Sequence, residues 1–148
     1  MPLALVFPGQ GAQVVGMGGV LAATVPEARA VLERADRVLG FPLSQVMAQG
    51  PEAELTRTDV SQPAILVHSL MALAAVRARR GEPVFAATAG LSLGEYTALV
   101  AADALGVEDA IRLVRLRGQA MQAAADAVPG GMVALLGTDE AGAQKLCD

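Results

Sequence analysis

Residues 90–99, GLSLGEYTAL, constrain this chain more than any other stretch. They set a lone hydroxyl, Ser92, between two leucines, and those between two glycines. The apolar run VFAATAG leads into the segment as a buried strand would, and a helix is expected just after the serine. The pattern G-x-S-x-G therefore falls where a strand turns sharply into a helix, the context of a nucleophile elbow. Gly90 and Gly94 permit a turn too tight for side chains, and the turn lifts the hydroxyl above the sheet. The helix that follows aims backbone N–H groups and its positive dipole end at the same point. An oxyanion formed there would be held by the Leu93 N–H and one further donor. The plainer alternative is that Ser92 caps a helix N-terminus, a common task for serine.

The rest of the chain reads as α/β with parallel strands. LALVF, residues 3–7, is short, unbroken and stopped by Pro8 and Gly9, as a first buried strand would be. GQGAQVVGMGG follows; its start can bring backbone close to a ligand and offers the second oxyanion donor. Residues 26–39 predict a helix, with Val31, Leu32, Ala35, Val38 and Leu39 at helical spacing, Pro26 in the first turn and Gly40 as the stop. Residues 41–60 predict a loop with short helical pieces. Residues 62–80 are apolar nearly all round, which predicts a helix buried on most sides and ending in solvated arginines. A long helix is expected over 107–127, then a third strand at MVALLG, residues 132–137, and a helix beginning near Asp139. So few strands make an unfinished sheet, and the last helix stops at Asp148, so the chain is expected to be a truncated form of a longer one.

Composition narrows the function. With 53% hydrophobic and 18% charged residues, the 148-residue chain can bury a sizeable core and is not disordered as a whole. A net charge of −4 argues against a nucleic-acid surface, which would have to neutralise phosphates. No run approaches the ~18 apolar residues of a membrane span, and LALVF lacks the basic flank of a signal peptide. The single cysteine, Cys147, cannot form an internal disulfide, which fits a reducing, cytoplasmic compartment. No metal site is expected.

Two residues test the elbow reading. The only histidine, His68, lies upstream of Ser92 on the apolar helix. It is expected to be a packed, hydrogen-bonded core residue rather than the base for the serine. On a helical wheel of residues 111–125, Arg112, Arg115, Gln119 and Gln122 share one face, and Leu113, Val114, Ala120, Met121 and Ala124 the other. Arg117 falls inside the apolar stripe, and a charge pointing inward must be paired. Either it forms an internal salt bridge, for instance to Glu95, or it receives a substrate carboxylate bidentately.

FPGQGAQ at 7–13, TDVSQPAI at 58–65, GLSLGEYTAL, RLVRLRGQAMQ at 112–122 and GGMVALLG at 130–137 together resemble the malonyl-CoA:acyl carrier protein transacylases, in order and spacing. The resemblance implies that Ser92 is acylated by malonyl-CoA and passes the acyl group to the phosphopantetheine thiol of acyl carrier protein in fatty-acid synthesis. It implies that Gln10 and Leu93 supply the oxyanion-hole N–H groups, that Arg117 pairs with the malonyl carboxylate, and that Gln62 lies near the site. Leu91 stands where the family usually has histidine, which changes the pocket wall rather than the mechanism. The family's catalytic histidine lies beyond residue 148. The implied fold is a partial hydrolase-like core over 1–128, then the opening of a ferredoxin-like subdomain over 129–148. The coenzyme A thioester is a substrate, and no cofactor is implied.

Two rivals remain at this point. A serine hydrolase with the same elbow would cleave simple esters without a thiol acceptor. A non-catalytic fragment would need a complementing chain, or would self-associate through an exposed sheet edge.

Overall fold

The computed structural model describes residues 3–128, 130 and 135–147. Strand β1 (Ala4–Phe7) leaves the N-terminus and pairs in parallel with β2 (Ala87–Gly90), with Phe7 opposite Gly90. Between them run five helices: α1 (Gly19–Thr24), α2 (Pro26–Leu39), α3 (Leu43–Gln49), α4 (Glu52–Thr56) and α5 (Thr58–Arg80). After β2 come α6 (Gly94–Ala101), α7 (Val107–Ala127) and α8 (Glu140–Cys147). The α/β expectation with parallel strands is met. The third strand expected at 132–137 falls partly on residues 132–134, outside the described residues, and residues 135–137 are irregular.

Local sequence explains the helix ends. Pro26 opens α2, and Gly40 closes it at φ 72°, a left-handed turn that glycine adopts without a Cβ penalty. The predicted bounds of α2 and α7 hold. Helix α5 instead begins four residues earlier than expected, so Pro63 lies inside it. α1 was not foreseen: the glycine-rich run ends by entering a short helix at Gly18, which sits at φ 80°.

Helix α5 is the centre of the fold. It packs chiefly against α7 and α2, and Ala64, Leu66, Val67 and Met71 are fully enclosed. By length and composition α5 would cross a bilayer, which corrects the expectation that no run is that apolar; 78% of its apolar window is buried inside the fold. It is the core helix of this layer, and its apolarity is spent on α2 and α7.

The strands are shorter and more open than buried strands. Leu5 and Phe7 face Leu73 of α5 and Ala98 and Ala101 of α6, forming a small second core. Val6 points the other way and is 75% exposed, because the described sheet has only two strands and no described residue covers that side.

Candidate active site

Steric necessity builds the elbow. A Cβ on Gly90 would stand 1.9 Å from the Gly94 carbonyl carbon, and one on Gly94 would stand 2.4 Å from the Phe7 carbonyl oxygen. The strand can therefore enter the helix directly beside the end of β1 only with glycine at both positions. Ser92, between them, adopts φ 51°. For a residue with a Cβ that left-handed conformation costs roughly 1–2 kcal/mol. Two backbone bonds hold the turn: the Leu91 N–H donates to Phe7 O at 3.2 Å, and the Gly94 N–H donates to Leu91 O at 2.9 Å.

Ser92 does not cap the helix. Leu93 occupies the N-cap position and no side chain caps α6. The serine hydroxyl is exposed and accepts a hydrogen bond from Arg117 Nη2 at 2.8 Å. Arg117 Nη1 donates to Gln62 Oε1 at 2.6 Å, and Gln62 is wholly buried. Gln62 Nε2 in turn meets the Met121 sulfur at 3.1 Å. Arg117 thus points inward, as the wheel required, but no carboxylate pairs with it among the described residues; the alternative bridge to Glu95 is not formed. A half-buried guanidinium, held by two neutral acceptors beside an exposed hydroxyl, is a place for an anion.

The glycine-rich exit of β1 lies against the elbow. A Cβ on Gly9 would be 2.8 Å from Leu91 O and 3.3 Å from the Leu91 side chain. Gln10 is exposed and its Nε2 reaches Thr58 Oγ1 at 3.4 Å, linking this loop to the start of α5. Among the described residues neither the Gln10 nor the Leu93 N–H donates a hydrogen bond. Leu93 itself is buried, whereas Leu91 is 71% exposed at the mouth of the turn.

His68 differs from expectation. It is half-buried, lining an apolar cavity with Leu5, Phe7, Pro8 and Leu73, and its Nδ1 has no hydrogen-bond partner among the described residues. Burial pushes its pKa down, because desolvation disfavours the charged ring. It makes no bond to Ser92, whose hydroxyl is engaged by Arg117.

The wheel reading missed Arg115. Leu113, Ala120 and Ala124 are exposed, while Arg115 is half-buried and turned to α5. Its Nη1 donates to the main-chain oxygen of Asp59 and, at 3.2 Å, to Asp59 Oδ2, and its guanidinium lies 4.9 Å from the Phe41 ring centroid. Burial alone would raise the Asp59 pKa, but hydrogen bonds from Arg57 and the charge of Arg115 hold it below the usual carboxylate range. The sequence carried one signal: Pro63, four residues after Asp59, leaves a helical carbonyl without its donor.

An elbow serine with an unpaired arginine beside it defines a class, and the chain belongs to the acyl transferase domain family, whose model matches residues 4–148. Over 145 residues it is 44% identical to the malonyl CoA-acyl carrier protein transacylase of Salmonella typhimurium, covering 98% of this chain and 47% of that protein. The malonyl CoA-acyl carrier protein transacylase from Coxiella burnetii has a solved structure matching at TM-score 0.87 and 38% identity, over 99% of this chain and 46% of that one. A structure of a type II PKS acyl-carrier protein in complex with its malonyl-transacylase matches at TM-score 0.79 and 43% identity, over 88% of this chain and 41% of that one. The chain spans about half the length of the curated relatives it matches.

Proposed function

We propose that this chain carries the acyl-accepting serine of an enzyme that moves a malonyl group from coenzyme A to the phosphopantetheine thiol of acyl carrier protein, in fatty-acid biosynthesis. The observation that carries this reading is the Arg117 guanidinium, 2.8 Å from Ser92 Oγ and without a carboxylate partner among the described residues. In a malonyl ester of Ser92 the free carboxylate is separated from the ester carbonyl by one methylene. A guanidinium already touching Oγ is then within reach of that carboxylate, and its planar fork suits bidentate pairing.

In the first half-reaction Ser92 Oγ attacks the thioester carbonyl, its proton passes to a base, and the C–S bond breaks to release coenzyme A as its thiol. In the second, the carrier thiol attacks the Ser92 ester; the new C–S bond forms as the C–Oγ bond breaks and Ser92 regains a proton. The free N–H groups of Gln10 and Leu93 receive the carbonyl oxygen as it becomes an oxyanion. Gln62 holds Arg117 in place, and Leu91 forms an apolar wall at the mouth. The resemblance implies that the family's histidine base lies beyond residue 148; His68 makes no bond to Ser92, whose hydroxyl is engaged by Arg117. No cofactor takes part, because the thioester itself supplies the activated acyl group. On this reading the described residues up to 128 belong to part of a hydrolase-like core, the ferredoxin-like subdomain expected to open over 129–148 falls partly outside the described residues, and the lone Cys147 suits the cytoplasm.

The reading is tested by intact-mass spectrometry after mixing the chain with malonyl-CoA or acetyl-CoA. A malonyl adduct lost in Ser92→Ala is expected, with Arg117→Ala reducing malonyl labelling at least tenfold more than acetyl labelling, on the order of one charge-assisted hydrogen-bond pair. Equal loss with both thioesters would remove Arg117 from selection. No adduct from the folded chain would favour a non-catalytic fragment, and rapid hydrolysis without a thiol would favour an esterase.

A further inference from the structure

We infer that Arg115 is a positioning residue: by gripping Asp59 it sets the register of α7 against the first turns of α5, and that register aims Arg117 at Gln62 and Ser92.

The two helices meet backbone to backbone at Gly118, where a Cβ would stand 2.8 Å from Thr58 O and 2.9 Å from Asp59 Cα. Around that pivot polar ties join α7 to α5, besides the contact of Gln62 Nε2 with the Met121 sulfur. Gln122 Oε1 accepts the Thr58 N–H at 2.9 Å, Arg115 donates to Asp59, and Arg117 donates to Gln62. Residues 115, 118 and 122 lie three and four apart, one stripe of α7, with Arg117 on its flank.

The Asp59 tie exists because of Pro63. In an α-helix the carbonyl of residue 59 accepts from the N–H of residue 63, which proline lacks. A buried carbonyl left without a donor costs about 1–3 kcal/mol. Arg115 supplies the donor from a different helix and binds the Asp59 carboxylate with the same nitrogen. A bond that would have stayed within α5 is thereby turned into a tie between α5 and α7. A one-residue slip of α7 would move it 1.5 Å along its axis and rotate it by about 100°, separating Arg117 from both acceptors.

The test is guanidinium 1H–15N NMR of the full chain, with the Arg117 signals assigned by their loss in Arg117→Lys. In the native protein the Arg117 Nη groups, bonded to Gln62 and Ser92, are expected as separate signals. Arg115→Met keeps the side-chain stem and removes the donor; it is expected to average those signals while circular dichroism remains native. Pro63→Ala restores the helical N–H, shares the Asp59 carbonyl and is expected to have the same effect more weakly, even as it stabilises α5. It also serves if Arg115→Met fails to fold. The combined Arg115→Met/Pro63→Ala chain should regain melting temperature without regaining the Arg117 signals. Separate Arg117 signals in folded Arg115→Met, or their return in the combined chain, would overturn the inference.

A second readout rests on the malonyl-transfer reading. Arg115→Met should lower the malonyl-to-acetyl labelling ratio of Ser92 about tenfold, the scale of a displaced catalytic contact. A native chain that takes no malonyl group bears on that reading alone, and the NMR result still decides the role of Arg115. An unchanged ratio in a malonyl-labelled Arg115→Met chain would overturn the inference.

Discussion

The α5–α7 pair and the two-stranded sheet meet at Ser92, but they are stabilised in different ways. α5 satisfies most of its backbone within itself, takes the Asp59 carbonyl's donor from α7, and surrounds its apolar side chains with α2 and α7. The sheet has four residues in each strand and Val6 in the open. A strand satisfies its backbone only through neighbours, so two short strands gain little from pairing alone. The elbow is nevertheless sharply defined, because Gly9, Gly90 and Gly94 let the strand ends, the loop and α6 approach to backbone contact. The sheet side of the site is fixed by close approach and the helical side by burial.

Substitutions can break this contrast. The largest effect is expected from Gly90→Ala, whose Cβ would overlap the Gly94 backbone at 1.9 Å. Backbone cannot give way as a side chain can, so a loss of about 4 kcal/mol or more in urea unfolding is expected. A loss under about 1 kcal/mol would mean that the elbow is held some other way. Next in size, Leu66→Ala in the helical layer should cost about 3 kcal/mol, while Val6→Ala on the open strand face should cost under about 0.5 kcal/mol. Similar costs at the two positions would mean that the sheet face is covered in solution.

The smallest expected effect concerns pH. The folded Asp59 pKa lies below its unfolded value, so its contribution is fully present above the unfolded pKa of about 3.9 and is lost as pH falls through the folded value. Asp59→Asn should flatten the acid limb of the melting-temperature curve below about pH 4 and leave its slope near pH 7 unchanged. An acid limb equally steep in both proteins would place the titrating group elsewhere.

Much of this was legible one residue at a time. Pro26 and Gly40 bracket α2 because proline and glycine each carry a fixed backbone preference. Gly90, Ser92 and Gly94 announced the elbow by spacing, and the inward Arg117 followed from helical periodicity. The helix expected over 62–80 begins at Thr58 instead, with Pro63 inside it, because packing on α7 and the Arg115 contact offset the missing bond. His68 was expected to be hydrogen-bonded, but it lines an apolar cavity beside β1 and its buried Nδ1 has no partner among the described residues. Its surroundings come from residues some sixty positions away, which no local pattern encodes.

The sequence by itself determined where α2 and α7 run, that a serine stands at a glycine-flanked turn, and that one arginine faces inward. These follow from backbone preference and periodicity, which act over a few residues. Only the tertiary structure decided what that arginine touches. Whether Arg117 met Glu95 or the serine, and whether Arg115 faced solvent or Asp59, depended on how α7 crosses α5 at Gly118. That crossing is set by close packing between segments far apart in the chain, and the hydrogen bonds of the site follow from it.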